Sequence, residues 1–284
     1  MKKDLLLNSG ILLSGEMEKF KHIFSPFEIE LIKAGEASGT LDIRLKSLAE
    51  HMEKTYNLQM KIMGKLIYPF IILNAGLVIP PVISSVTKGF GYYISQVLQN
   101  FIIFYSAVFL IYIAYKMLNS PKLQFISGTI VMITPLVNTI TRYFTLSQYL
   151  YSFSELYDAG IDLRRTSELS MQTCSNYVIR RNLDKISSLI KQGKGIYDSF
   201  SKANIFEPLV LGLVHTGEKS GNMGEMLKRS AQHLETEGEF KLNNLITLLP
   251  VILMIMLGIY VAITLLSFYN NYIKGIFNID LIKP

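Results

Sequence analysis

The chain has 284 residues, of which 50% are hydrophobic and 18% charged, and a formal net charge of +6. Charged content below the soluble norm of roughly 25%, with a mean hydropathy of +0.31, excludes an ordinary water-soluble globule. The single cysteine, Cys174, excludes an intrachain disulfide and a cysteine metal cluster, and reads as a small buried hydrophobe.

The N-terminus starts with charge, but Leu5 to Leu13 is interrupted by Asn8, Ser9 and Gly10, and Glu16, Glu18 and Lys19 follow. No small-residue cleavage site is present, so a retained, cytoplasmic N-terminus is expected rather than a cleaved signal. Residues 1–64 read as a short helical domain. One helix carries Ile29, Leu31 and Ile32 and ends at a glycine, the usual residue of a left-handed C-cap. After a short turn, which Ser38 or Thr40 suits as a cap, a second helix places Leu41, Leu45, Leu48, Ala49 and Met52 three and four residues apart.

That second helix runs on into an apolar segment. No charge occurs from Leu66 to Thr87, from Gly89 to Tyr115, or from Leu242 to Ile273. A spanning helix needs about 20 mostly apolar residues, so three transmembrane helices are predicted, within 65–88, 89–116 (after a short external loop) and 245–268. Proline is tolerated inside such helices, which accommodates Pro69 and Pro250; Pro80-Pro81 also suits the outer end of the first span. Residues 123–141 lack charge, but polar residues, Gly128 and Pro135 dilute them. They are expected to lie against the membrane rather than cross it.

Residues 117–244 read as a second, fuller helical bundle. Helices are predicted over Tyr143–Tyr157, Leu163–Cys174, Tyr177–Lys191, Ile196–Lys202 and Pro208–Thr216, then one entering the last span. Tyr143, Phe144, Tyr149, Tyr151, Phe153 and Tyr157 form an aromatic set for core packing, not a nucleic-acid stacking platform. The pairs Arg164-Arg165 and Arg180-Arg181 read as solvated helix faces. The fold class is therefore an all-α integral membrane protein with three transmembrane helices and two homologous cytoplasmic helical domains, the first truncated.

Basic residues set the orientation, because they gather on the inner side of short flanks. Lys54, Lys61, Lys65, Lys116, Lys122, Lys228, Arg229 and Lys241 flank one side, against Lys88, Lys274 and Lys283 on the other. Both helical domains are thus expected inside, with the tail 269–284 outside. This distribution also accounts for the net charge without nucleic acid.

The most informative feature is an internal repeat. Gly35-Glu36-Ala37-Ser38-Gly39 returns 182 residues later as Gly217-Glu218-Lys219-Ser220-Gly221. Ile23-Phe24, Pro26, Leu45, Ala49, His51 and Glu53 match Ile205-Phe206, Pro208, Leu227, Ala231, His233 and Glu235. In the second copy the following helix shows Met223, Met226, Leu227, Ala231 and Leu234, and Asn222 with Glu225 resembles a capping arrangement. The candidate site residues are Gly35, Glu36, Ser38, Gly39, Gly217, Glu218, Ser220 and Gly221. Two readings of Glu36 and Glu218 stand open: carboxylates complementing a helix dipole, or contact points for a cytoplasmic partner.

The doubled motif feeding helices into the membrane, the three spans and the Asp158-Ala159-Gly160-Ile161-Asp162-Leu163 turn resemble the type II secretion system protein F family, over about Ile23 to Tyr269. The resemblance implies an inner-membrane platform protein of type II secretion, type IV pilus or competence pseudopilus assembly. Its implied partners are a cytoplasmic hexameric ATPase, pilin or pseudopilin subunits, other inner-membrane assembly proteins, the lipid bilayer and further copies of itself. It implies no chemistry and no cofactor. The residues agree, with no Walker loop, His-Glu-x-x-His or Gly-x-Ser-x-Gly. The shortened first domain departs from the family pattern.

Two other classes fit parts of the sequence. A metal-dependent membrane enzyme would use the repeated His51 and His233 with Glu53 and Glu235. A transporter would fit a repeat with membrane prolines, but its path needs intramembrane ionisable residues, and the spans carry none.

Overall fold

The computed structural model describes residues 12–118, 135–174 and 176–280, which form eleven helices and no strand. In chain order these are α1 (Leu13–Glu18), α2 (Pro26–Ser38), α3 (Leu41–Val78), α4 (Pro81–Lys88), α5 (Phe90–Leu118), α6 (Pro135–Asp158), α7 (Leu163–Gln172), α8 (Tyr177–Lys191), α9 (Ile196–Ala203), α10 (Pro208–Ser220) and α11 (Met223–Asp280). They divide into two compact units. Residues within 1–56 and 121–242 make a helical bundle, and those within 57–120 and 243–284 make an apolar unit.

The bundle is organised around α6. Leu146, Tyr149, Leu150, Phe153 and Leu156 are at most 3% exposed, on a three-and-four spacing that makes one apolar stripe. Their rings pack outward into Phe200 and Phe206: Tyr149–Phe153 (tilted) and Phe153–Phe200 (edge-to-face) centroids are 5.8 Å apart, and the stacked Phe200–Phe206 pair 4.8 Å. Ser147, Ser152, Ser154 and Glu155 on the other faces of α6 are buried as well, so this helix is covered all round.

Two neighbours run antiparallel to it. On α11, Gly224, Ala231 and Gly238 recur at heptad spacing and let the backbones approach. Ser154 Oγ donates to Gly224 O (2.9 Å), Ser147 Oγ donates to Ala231 O (2.8 Å), and a Cβ on Gly238 would stand 3.2 Å from Tyr143 Cβ. On α3, an Arg44 Nη2–H donates to Asp158 O (2.8 Å), Tyr151 OH donates to Ser47 O (3.0 Å), and His51 Nε2 lies 2.9 Å from Gln148 Oε1.

The short N-terminal segment has no core of its own size. Instead Phe27, Leu31 and Leu48 enter the main core with the α6 residues, while Met17, Ile29 and Ile32 form a small satellite. Burial of that kind supplies what so short a segment lacks alone.

Within the apolar unit, α3 stops at Val78 ahead of Pro80-Pro81, and α4 starts at Pro81. Proline at the first helical position loses no helical bond, and the next two N–H groups, of Val82 and Ile83, donate to Ile79 O (3.1 Å) and Pro80 O (3.2 Å). Polar side chains link α3 to α5 and α11: Asn100 Nδ2 donates to Leu77 O (3.2 Å), Tyr105 OH donates to Asn74 Oδ1 (3.1 Å), and Lys65 Nζ donates to Asn243 Oδ1 (2.9 Å). A Cβ on Gly76 would lie 3.2 Å from Leu257 Cδ1, a small-residue contact of the kind membrane helices use.

Among the described residues three helices are long and apolar enough to cross a membrane, over Leu41–Ile83, Phe90–Leu110 and Met223–Asn270. Their apolar side chains point away from the protein, with Ile102 68% and Leu266 70% exposed. The described residues are those of an all-α membrane protein, with the three candidate spans that the charge gaps predict. The expected membrane-apposed segment 123–141 lies largely outside the described residues; its last seven belong to α6.

Candidate functional site

Each motif forms the corner between two helices. The sequence suggests a helix ending at a glycine with a turn after it, but α2 runs through Gly35 and Glu36 to Ser38, and α10 through Gly217 and Glu218 to Ser220. The second glycine of each motif makes the cap: Gly39 has φ 71° and Gly221 φ 75°, the left-handed region where a side chain is strained. The first glycine serves a different end. A Cβ on Gly35 would meet Arg44 Cγ at 3.0 Å and Leu41 Cα at 3.2 Å; one on Gly217 would meet Met226 Cβ at 2.9 Å and Met223 Cα at 3.1 Å. It lets the helices before and after the corner touch.

The motif serines act locally. Ser38 Oγ donates to Ala34 O (2.8 Å) and lies 2.7 Å from Thr40 Oγ1. Ser220 Oγ accepts from the Asn222 N–H (3.4 Å). Asn222 donates its amide to the Glu225 carboxylate, a side-chain pair rather than a capping box. The true box is earlier: Ser25 Oγ accepts from Glu28 N (3.3 Å) while Glu28 Oε2 accepts from Ser25 N (2.7 Å).

The motif glutamates do not complement the helix they precede. Both reach back to the helix before their own. Glu36 accepts from the N–H groups of Leu13 and Ser14 and from Ser14 Oγ, at the first turn of α1. Glu218 Oε1 accepts from Ile196 N (3.0 Å), the first residue of α9. Each carboxylate sits near the C-terminal end of its own helix, where the dipole disfavours it, and is compensated by orphan donors at another helix's N-terminus. The copies differ in completeness. Glu36 is half-buried with both oxygens engaged, whereas Glu218 is exposed and, among the described residues, takes its bond on Oε1 alone. Gly195 makes room for it, since a Cβ there would fall 2.6 Å from Oε1.

A buried charge cluster ties the corners together. Glu155 on α6, with a side chain 4% exposed, accepts from Ser47 Oγ (2.6 Å) and Lys228 Nζ (3.0 Å), and Arg44 Nη1 stands 3.6 Å away. One carboxylate thus joins α3 and α11, the two helices that continue from the corners. Beside it, burial and the Glu155 charge push the Asp158 pKa up, against Arg44 and Lys228. Asp158 oxygens occupy the space a Cβ on Gly224 would take. This cluster escaped the sequence reading, although Glu155 is the only charge between Tyr143 and Tyr157. A lone carboxylate in so apolar a helix was the available signal.

The repeated histidines have protein neighbours. His51 stacks on Tyr151 at 4.0 Å and meets Gln148; His233 Nε2 lies 3.8 Å from Glu207 Oε2. Among the described residues no three His, Cys, Asp or Glu side chains gather as a metal site. Arg165 faces Glu30 at 3.9 Å, so the first Arg pair also serves to hold α2.

The family model for type II secretion system (T2SS), protein F matches residues 5–87 and 149–270. The chain belongs to this family. Each matched segment contains one corner motif and the long helix that follows it, so the family's pattern falls on the internal repeat. Similar curated proteins include the type IV pilus assembly protein PilC of Pseudomonas aeruginosa, 25% identical over 93% of this chain and 76% of its own length. The type IV pilus assembly protein TapC of Aeromonas hydrophila is 24% identical over 94% of this chain and 70% of its own. The type II secretion system protein F of Vibrio cholerae is 21% identical over 91% and 69%.

Proposed function

We propose that this chain is the inner-membrane platform of a type IV pilus or type II secretion assembly machine, and that it couples a cytoplasmic ATPase to polymerisation of pilin-like subunits. The observation that carries this reading is the family match over both halves of the repeat, with relatives named for pilus assembly and for secretion. The mechanics support it. Each corner is pinned by a close-approach glycine and a glutamate latch, and each feeds a helix that continues without interruption, α3 to Val78 and α11 to Asp280. Glu155 links those two helices inside the bundle, so a displacement imposed on one corner is felt by both.

The chain performs no catalysis in this reading. The bundle lies in the cytoplasm, the N-terminus with it and the C-terminus outside, as the flanking lysines and arginines indicate. The corner motifs are joints, and the Glu218 Oε2 atom is the motif oxygen left open to a partner. The test is recovery of the tagged chain from its host's membranes after crosslinking. The motor ATPase and pilin subunits should co-purify; their absence from the crosslinked material would overturn the assignment.

A further inference from the structure

A cleft of about 210 Å³ opens between the first half of α6, α11 and the turn before α10. Asn138, Arg142, Tyr143 and Glu207 supply its polar wall, with Ile205 and Leu234 among the apolar residues. Its place along the bundle follows from the antiparallel pairing of α6 and α11. Ser154 meets Gly224, Ser147 meets Ala231 and Tyr143 meets Gly238. Asn138 therefore lies further toward the end at which α11 leaves the bundle, at Leu242. The uncharged stretch also begins at Leu242, so along the chain the bundle ends where the apolar stretch begins. The three residues to Leu245 span at most about 10 Å, comparable with the polar layer of a membrane leaflet.

The cleft carries one cation and one anion on facing walls. Arg142 spends one N–H on Ile205 O (2.5 Å), and the rest of its fork suits a phosphate. Glu207 Oε1 accepts from Tyr143 OH, a bond that pushes the tyrosine pKa up to about 12 and keeps it a donor. Glu207 Oε2 stands 3.8 Å from His233 Nε2, too far for a hydrogen bond, and is open to an ammonium.

We infer that this cleft holds the phosphoethanolamine headgroup of a membrane phospholipid, with the phosphate on Arg142 and the ammonium on Glu207. A glycerol headgroup has no cation for Glu207, and a choline headgroup has no N–H to give it. The inference rests on the chain residing in a membrane, not on its role in assembly, so the two fail separately.

The experiment uses the full chain in nanodiscs of mixed phosphatidylethanolamine, phosphatidylglycerol and phosphatidylcholine, with retained lipid read by native mass spectrometry. The ethanolamine lipid should be retained roughly fivefold over the other two, the factor set by one partly exposed ion pair of about 1 kcal/mol. Glu207→Gln keeps an acceptor for Tyr143 and should remove the preference over phosphatidylglycerol. Arg142→Gln should lower retention of all three. Continued protection of the buried Cys174 thiol verifies that each variant is folded. Equal retention of the three lipids by the wild type, or a preference that Glu207→Gln leaves unchanged, would overturn the assignment.

Discussion

Glu218 Oε1 accepts a 3.0 Å hydrogen bond from the main-chain N–H of Ile196, 22 residues earlier. Glu36 makes the same link to Ser14, also 22 residues back. The repeat therefore extends to a short helix ahead of each corner, latched by the motif's own carboxylate. Removing such a cap costs about 0.5–2 kcal/mol. Glu36→Ala should cost more than Glu218→Ala, because Glu36 is less exposed and uses both oxygens. The two losses should add, as the latches sit on separate helices. Denaturant unfolding of the purified chain reads all three values. A Glu218 variant of native stability that no longer assembles filaments would assign that residue to a partner instead.

The two glycines of a motif have different duties, and paired substitutions separate them. Gly217→Ala forces a Cβ to 2.9 Å from Met226 Cβ and 3.1 Å from the Met223 backbone, an overpacking cost of about 1–3 kcal/mol. Gly221→Ala meets open space but strains a φ of 75°, about 1–2 kcal/mol. Asn tolerates the left-handed region, so Gly221→Asn should recover much of the loss, while Gly217→Asn should be worse than Gly217→Ala. Melting temperatures of the four variants test this.

Glu155→Ala leaves the largely buried Arg44 guanidinium without its carboxylate. Breaking a buried pair on one side costs about 3–5 kcal/mol. A second change, Arg44→Met, should return part of that loss, since the unpaired charge is then gone. A double-mutant cycle with no coupling between these positions would contradict the cluster.

Burial raises the pKa of Asp158 above 3.8, with Glu155 adding to the shift. The folded state then binds this proton more tightly than the unfolded chain. Its contribution to stability is fully present below the unfolded value and is lost as pH rises through the folded one. Asp158→Asn, which removes the charge, should be more stable than the wild type at neutral pH, with the advantage vanishing on acidification below the ordinary carboxylate range. Unfolding midpoints against pH for both proteins measure the crossover.

Cys174 is 5% exposed, and burial pushes its thiol pKa up to about 12. Thiolate is the reactive form, so a maleimide or disulfide reagent should leave the native chain unmodified at mildly alkaline pH and label it fully once denatured. Rapid labelling of the folded protein would contradict the packing of α7 against α6.

Much of the helical layout is written locally. The bounds of α8 coincide with the reading of the sequence because Asn176 caps one end, accepting from Val178 and Ile179, and Gly193 with φ 83° follows the other. The corners were legible as corners, since two short motifs recur before long apolar runs. Their interior was not. A glycine that permits close approach and a glycine that adopts a left-handed cap look alike in a sequence, so local pattern alone ends α2 too early. The target of Glu36 lies 22 residues away, beyond any capping pattern, which covers three or four. That the N-terminal segment enters the α6 core rather than standing alone depends on tertiary packing of Phe27, Leu31 and Leu48, which periodicity does not address.

The central claim is that this chain is the assembly platform, and deletion of its gene tests it most directly. Filament formation or pseudopilus-dependent secretion should be abolished while pilin-like subunits accumulate in the membrane, and the wild-type gene should restore it. Normal filaments or normal secretion in the deletion strain would contradict the account.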